Sequence, residues 1–215
     1  MFIRRMLLIA LCLALVISVM AGSAAAGRFS VDDQDFRIVW TEVSFVPDFV
    51  DPVRCGLTII GSMHSRTITK TDGLLVGHVT SARTSFPTCT PREEGATALA
   101  FTLPWHVTYA VFTGTLPAIT GVKLEILGAS FDIFTIEDEG IRTALCLART
   151  EASEPGKVTL NVSRGLVTTA TFDETAAIDL NDVGASAQCD FIDGSLRGSG
   201  TVDDGSGAPI GVSLI

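Results

Sequence analysis

Trp105-His106-Val107-Thr108-Tyr109-Ala110-Val111 decides the fold class. Its large apolar residues fall at every second position, with small or polar residues between them. That is the period of a β-strand with one buried face. Lys157-Val158-Thr159-Leu160-Asn161-Val162-Ser163 repeats the pattern, with Val158, Leu160 and Val162 on the apolar side. The surrounding chain is rich in Val, Ile, Thr and Phe and is punctuated by Gly, Pro and Asp, the composition of strands and tight turns.

Working outward, strands are predicted at 36–46, 54–62, 64–70, 74–83, 96–103, 105–112, 122–137, 141–149, 157–163, 166–172, 188–192, 194–202 and 210–214. Arg164-Gly165 is a two-residue link suited to a tight hairpin, and Asp72-Gly73 and Asp193-Gly194 are further hairpin signals. Glu154-Pro155-Gly156 separates two strands. Along Val122–Glu137 the apolar phase shifts near Ile126-Leu127-Gly128, which predicts a bulge or a barrel corner at the glycine. Only Asp173–Val183 offers a window for a short helix. The expectation is an all-β protein: one antiparallel β-barrel or β-sandwich domain over residues 36–215. A flexible segment, 27–35, carries Asp32, Asp33 and Asp35 ahead of it.

The first 26 residues read differently. Arg4 and Arg5 precede an apolar run from Met6 to Met20, followed by Ala21-Gly22-Ser23-Ala24-Ala25-Ala26. A basic start, a short apolar core and an A-x-A end describe a secretory signal peptide cut after Ala26. The apolar run is shorter than the ~20 residues of a membrane span. Cys12 follows a large Leu in mid-core and makes no lipoprotein signal, so no stable membrane anchor is expected after cleavage. The expected location is secreted, extracellular or at the cell surface.

Cleavage leaves 189 residues with 13 basic and 24 acidic side chains, a net charge of −11 with neutral histidine. That acidity disfavours nucleic acid and anionic membranes as partners. An outer-membrane barrel is disfavoured too, since such barrels show a lipid-facing apolar band and rarely carry two disulfides. Four cysteines remain: Cys55, Cys89, Cys146 and Cys189. An even number in an exported chain predicts two disulfides, with three connectivities open. Cys55–Cys89 with Cys146–Cys189 is favoured, because each pair then staples one half of the chain. No C-x-x-C is present, which argues against a zinc knuckle or a thioredoxin-like redox site.

Several phrases are distinctive: Gly61-Ser62-Met63-His64-Ser65-Arg66-Thr67-Ile68, Leu103-Pro104-Trp105-His106-Val107-Thr108-Tyr109, Phe112-Thr113-Gly114-Thr115-Leu116-Pro117-Ala118-Ile119-Thr120-Gly121 and Gly128-Ala129-Ser130-Phe131. Together they resemble a group of exported all-β proteins of high-GC actinobacteria, over roughly residues 36 to 149. The resemblance implies a shared secreted β core and assigns neither an activity nor site residues.

Candidate chemistry is sparse. His64, His78 and His106 are the only histidines, and three imidazoles can make an open zinc site, although no two of them sit two apart on one strand. Ser62 and His64 share a strand face, as a nucleophile and base require, but no G-x-S-x-G elbow exists: Gly128-Ala129-Ser130-Phe131-Asp132 fails at its last position. Glu125 and Asp132 lie ~23 Å apart on one extended strand, too far for a glycosidase pair, and Glu137-Asp138-Glu139 reads as a hairpin end. Asp32-Asp33-Gln34-Asp35 and Asp203-Asp204-Gly205-Ser206-Gly207 cluster oxygens without the spacing of a calcium loop. Asn161-Val162-Ser163 matches a glycosylation acceptor. Trp40, Trp105 and Tyr109, with the phenylalanines, are candidates to line a barrel cavity.

With no catalytic constellation and no cofactor fingerprint, the leading expectation is a non-enzymatic, secreted or cell-surface β module with a binding or structural role and a protein partner. A carrier of a small apolar ligand, with a cavity inside a barrel, is the alternative. A secreted hydrolase using Ser62 with His64 or His106 and a carboxylate is the second. No cofactor and no metal are expected.

Overall fold

The structure is a computed structural model that describes residues 28–47, 52–92, 94–115, 118–136, 142–153, 155–172, 177–182 and 192–215. Its core is a closed antiparallel barrel of eight strands. In order around the wall these are β2 (Asp35–Pro47), β3 (Val53–Met63), β5 (Leu75–Thr84), β7 (Trp105–Thr115), β8 (Ala118–Leu127), β11 (Gly156–Ser163), β12 (Leu166–Phe172) and β14 (Ile192–Asp203), with β14 pairing back onto β2. Spatial neighbours are successive in the chain, so the barrel is an up-and-down meander with other elements inserted in its connections.

The remaining elements, some inserted in these connections and some flanking the barrel strands in the chain, pack at its two ends. At one end lies a small sheet of β1 (Arg28–Val31), β4 (Thr67–Thr69) and β15 (Val212–Leu214). Phe29, Val31, Ile68, Ile210 and Val212 from this end are buried. The segment 27–35, expected to be loose, therefore contains a strand: Phe29 and Val31 alternate onto the core and outweigh the polar residues around them. At the other end β6 (Glu94–Ala98), β9 (Ser130–Ile136), β10 (Arg142–Arg149) and β13 (Ala177–Asp182) form a side sheet. It is joined to the barrel through the first half of β14, whose second half pairs with β12. Phe131 of this sheet packs at 5.1 Å from Phe45 and 5.4 Å from Trp105.

The alternation that predicted strands also sets the faces. Trp105, Val107 and Tyr109 are buried, as are Val158 and Val162, while Leu160 is half-buried. Val111, expected to continue the first series, is 47% exposed, because a bulge between Tyr109 and Val111 reverses the phase. A bulge in β2 works the other way. Thr41 and Glu42 both face out, so Trp40 and Val43 both point in and the wall bends around the core. Arg164-Gly165 forms the predicted hairpin with φ of 53° and 77°, the two positive values of a type I′ turn.

Other expectations are corrected. The predicted strand 122–137 is two strands, β8 and β9, which break at Gly128 with φ of 79°. The corner is latched by Thr150, whose buried hydroxyl accepts the Ala129 N–H at 2.9 Å. The helix window at 173–183 contains β13 instead, where pairing with β10 and β14 overrides local propensity. Asp193-Gly194 is no turn, since both residues lie inside β14. Predicted strand 96–103 ends at Ala98 and passes into a 3-10 turn at Ala100–Thr102. Most of the predicted strand 188–192 and segment 1–26, where a signal peptide was expected, fall outside the described residues.

Cys55 and Cys89 are disulfide-bonded, with Cα atoms 4.4 Å apart, and link β3 to the connection between β5 and β6. Two disulfides were expected. Cys146 lies on β10, and Cys189 lies outside the described residues.

Candidate functional site

The barrel interior was one candidate site, and it is filled. Between the end sheet and the indoles a void of only about 40 Å³ remains, lined by apolar side chains such as Phe29, Phe36, Met63, Leu124, Leu160 and Val167. That volume has room for a few water molecules at most. A second void, about 10 Å³, lies beneath Trp105 and Phe131. Tyr109 and Trp105 are structural: Trp105 Nε1 donates to Thr102 Oγ1 at 2.8 Å, and the Tyr109 ring packs 5.9 Å from Phe29.

Burial pushes the Tyr109 phenol above its ordinary value. A raised phenol pKa means stability present below about pH 10 and lost as the pH rises through the folded-state value. Tyr109 is the only tyrosine, so tyrosinate absorbance reports it alone. The expected midpoint lies above 10 in the folded protein and falls to about 10 in guanidinium. A folded-state midpoint of about 10 would contradict its burial.

The outer wall is largely polar, with Ile60, Leu75, Val111 and Leu166 exposed on it. Thr58, Thr80, Lys123, Glu125, Lys157, Thr159, Arg197 and Thr201 face outward around an apolar interior. A membrane-spanning barrel arranges its faces the opposite way. An open groove of about 610 Å³ runs over β2, β3 and β5, with Arg37, Thr58, Ile60 and Arg83 along it. Arg37 is held by Asp203 at 2.8 Å, whose hydrogen bond and charge raise its pKa further.

The acidic clusters serve their own loops. Asp32 Oδ1 accepts the Gly211 N–H at 2.7 Å, and Asp33 Oδ1 accepts that of Asp35 at 3.0 Å. Asp203 Oδ1 accepts from Gly205 at 2.7 Å. Asp204 accepts from the Ser206 hydroxyl and from the N–H groups of Ser206 and Ala208, and the Ser206 hydroxyl does most to hold it below the usual carboxylate range. Such carboxylates order turns. Glu125 and Asp132 lie on different strands, β8 and β9, and Glu137–Glu139 are outside the described residues. Asn161 Nδ2 donates to Thr169 Oγ1 at 3.0 Å and to Thr171 Oγ1 at 3.2 Å, which ties the amide to the barrel wall.

The histidines converge. His78 on β5 stands directly opposite Ser62 on β3 and His106 on β7. His64, one residue past β3, brings Nε2 to 3.2 Å from His78 Nδ1. This is the one side-chain hydrogen bond made by any histidine, so no imidazole reaches a serine or a carboxylate among the described residues. The hydrolase alternative therefore finds no Ser–His–acid relay there. Bulges and register bring these residues into one row, which spacing along the chain could not reveal. No protein-family model matches the chain, and neither curated proteins nor solved structures give a match.

Proposed function

We propose that this protein is exported and acts outside the cytoplasm as a non-enzymatic β-barrel module, binding or supporting a partner through its outer wall. The observation that carries this reading is the packed interior. Pockets for small ligands enclose about 300–1,000 Å³, whereas the barrel keeps about 40 Å³. An apolar-ligand carrier needs that void to open severalfold, against the capping sheet. The rest of the reading comes from the sequence. Cleavage after Ala26 starts the mature chain at Gly27, and Cys146 pairs with Cys189 as the second disulfide, as suits an oxidising compartment.

The test is a native mass spectrum of the unreduced, secreted protein. The expected result is a chain beginning at Gly27 with no apolar ligand, lighter by one hydrogen pair for each of two disulfides. A stoichiometric apolar molecule that survives purification would overturn the reading in favour of a carrier. Retention of the full-length chain inside the cell would overturn export.

A further inference from the structure

The three histidines come from separate stretches of sequence and share one region of the outer face, where His64 and His106 are exposed and His78 is half-buried. His64 and His78 place ring nitrogens 3.2 Å apart, with ring centroids at 5.4 Å. Two nitrogens bound to one ion at ~2.0–2.1 Å stand roughly 2.8–3.4 Å apart for bond angles between right-angled and tetrahedral. The observed separation falls within that interval. His106 is the direct cross-strand partner of His78, and such partners have Cβ atoms ~4.5–5.5 Å apart. Its imidazole is exposed on the same outer face.

From this geometry we infer that the patch is a transition-metal site, with His64 Nε2 and His78 Nδ1 as the first ligands and His106 as the third. Among the described residues no three ligating groups stand in place around a point, so the inferred site requires the His106 ring to turn toward the pair as the ion binds. Neutral imidazoles favour Zn²⁺ and Cu²⁺ over Ca²⁺ or Mg²⁺. Binding replaces the His64–His78 hydrogen bond: the donating ring passes the shared proton to solvent and takes one up on its other nitrogen, so that both facing nitrogens present a lone pair to the ion. Three protein ligands leave a coordination position open to water or to a side chain from a partner. The inference is independent of export, since it rests on the placement of the rings alone.

The test uses the purified, tag-free protein, titrated calorimetrically with Zn²⁺ and separately with Cu²⁺. One equivalent is expected to bind, Mg²⁺ is not, and His78→Ala is expected to weaken binding by at least about tenfold. Zn²⁺ should shift the ring-nitrogen resonances of all three histidines in NMR spectra. The three rings lie outside the core, so the metal-free melting temperature of each alanine variant should stay within a few degrees of the parent, which separates lost binding from lost fold. Absence of Zn²⁺ and Cu²⁺ binding, or binding that His78→Ala leaves unchanged, would overturn the site. Binding that leaves the His106 resonances unmoved would overturn its role as third ligand.

Discussion

Trp40→Ala is expected to destabilise the barrel by about 3–5 kcal/mol, the range for emptying a buried indole site. Trp40 is 1% exposed and sits where β14 closes the wall against β2. Its register partner on β14 is Gly200, and Gly200 in turn pairs with Ala170 on β12. The missing side chain lets the indole lie across β14 and donate Nε1–H to the Ala170 carbonyl at 3.0 Å. There it stacks on Phe172 at 4.8 Å. One side chain thus ties three strands at the seam. A Cβ at Gly200 would stand 2.7 Å from the Val39 carbonyl and 2.8 Å from Trp40 Cγ, so Gly200→Ala should also destabilise strongly. The two effects should couple, because they share the same space. Denaturant unfolding measures both. A loss below about 1 kcal/mol for Trp40→Ala would show that the indole does not hold the closure.

Removing the Cys55–Cys89 bridge, as the double variant Cys55→Ser with Cys89→Ser, is expected to cost about 3–4 kcal/mol. The bond closes a loop with a sequence separation of 34, and the loop-entropy estimate for that length gives this range. Both cysteines are buried, at 1% and 3% exposure, so serine hydroxyls add a desolvation penalty. The bridge also holds the paired hydrogen bonds between Arg54 and Thr90, each 2.8 Å, that pin the β5–β6 connection to the end of β3. For a chain of this size the melting temperature should fall by roughly 10 °C. Changing both cysteines avoids a free thiol able to exchange with Cys146 or Cys189. An unchanged melting temperature in the double variant would mean that the connection is held by packing alone.

The sequence by itself determined the all-β class, most strand positions, the Arg164-Gly165 hairpin and the inward identity of Trp105, Val107, Tyr109 and Val158. These are local properties: period-2 burial, turn chemistry and β propensity act within a few residues. It also favoured the pairing of Cys55 with Cys89. Where it failed, a longer-range term prevailed. Phe29 and Val31 became a strand because their burial cost only the ordering of a short segment, and Ala177–Asp182 because β10 and β14 offered ladders on both sides. Val111 turned outward because a bulge at Ala110 reversed the phase.

Barrel against sandwich, a filled interior against a hollow one, the contact of His64 with His78 and the pairing of His78 with His106 were decided only by tertiary structure. Each depends on strand register, and a slip of one residue would send His78 to the opposite face. Register is set by bulges such as Thr41-Glu42 and by fits such as Trp40 over Gly200, in which residues 160 positions apart must match. Pattern along a chain records which residues are buried. Closure of the sheet fixes which of them touch.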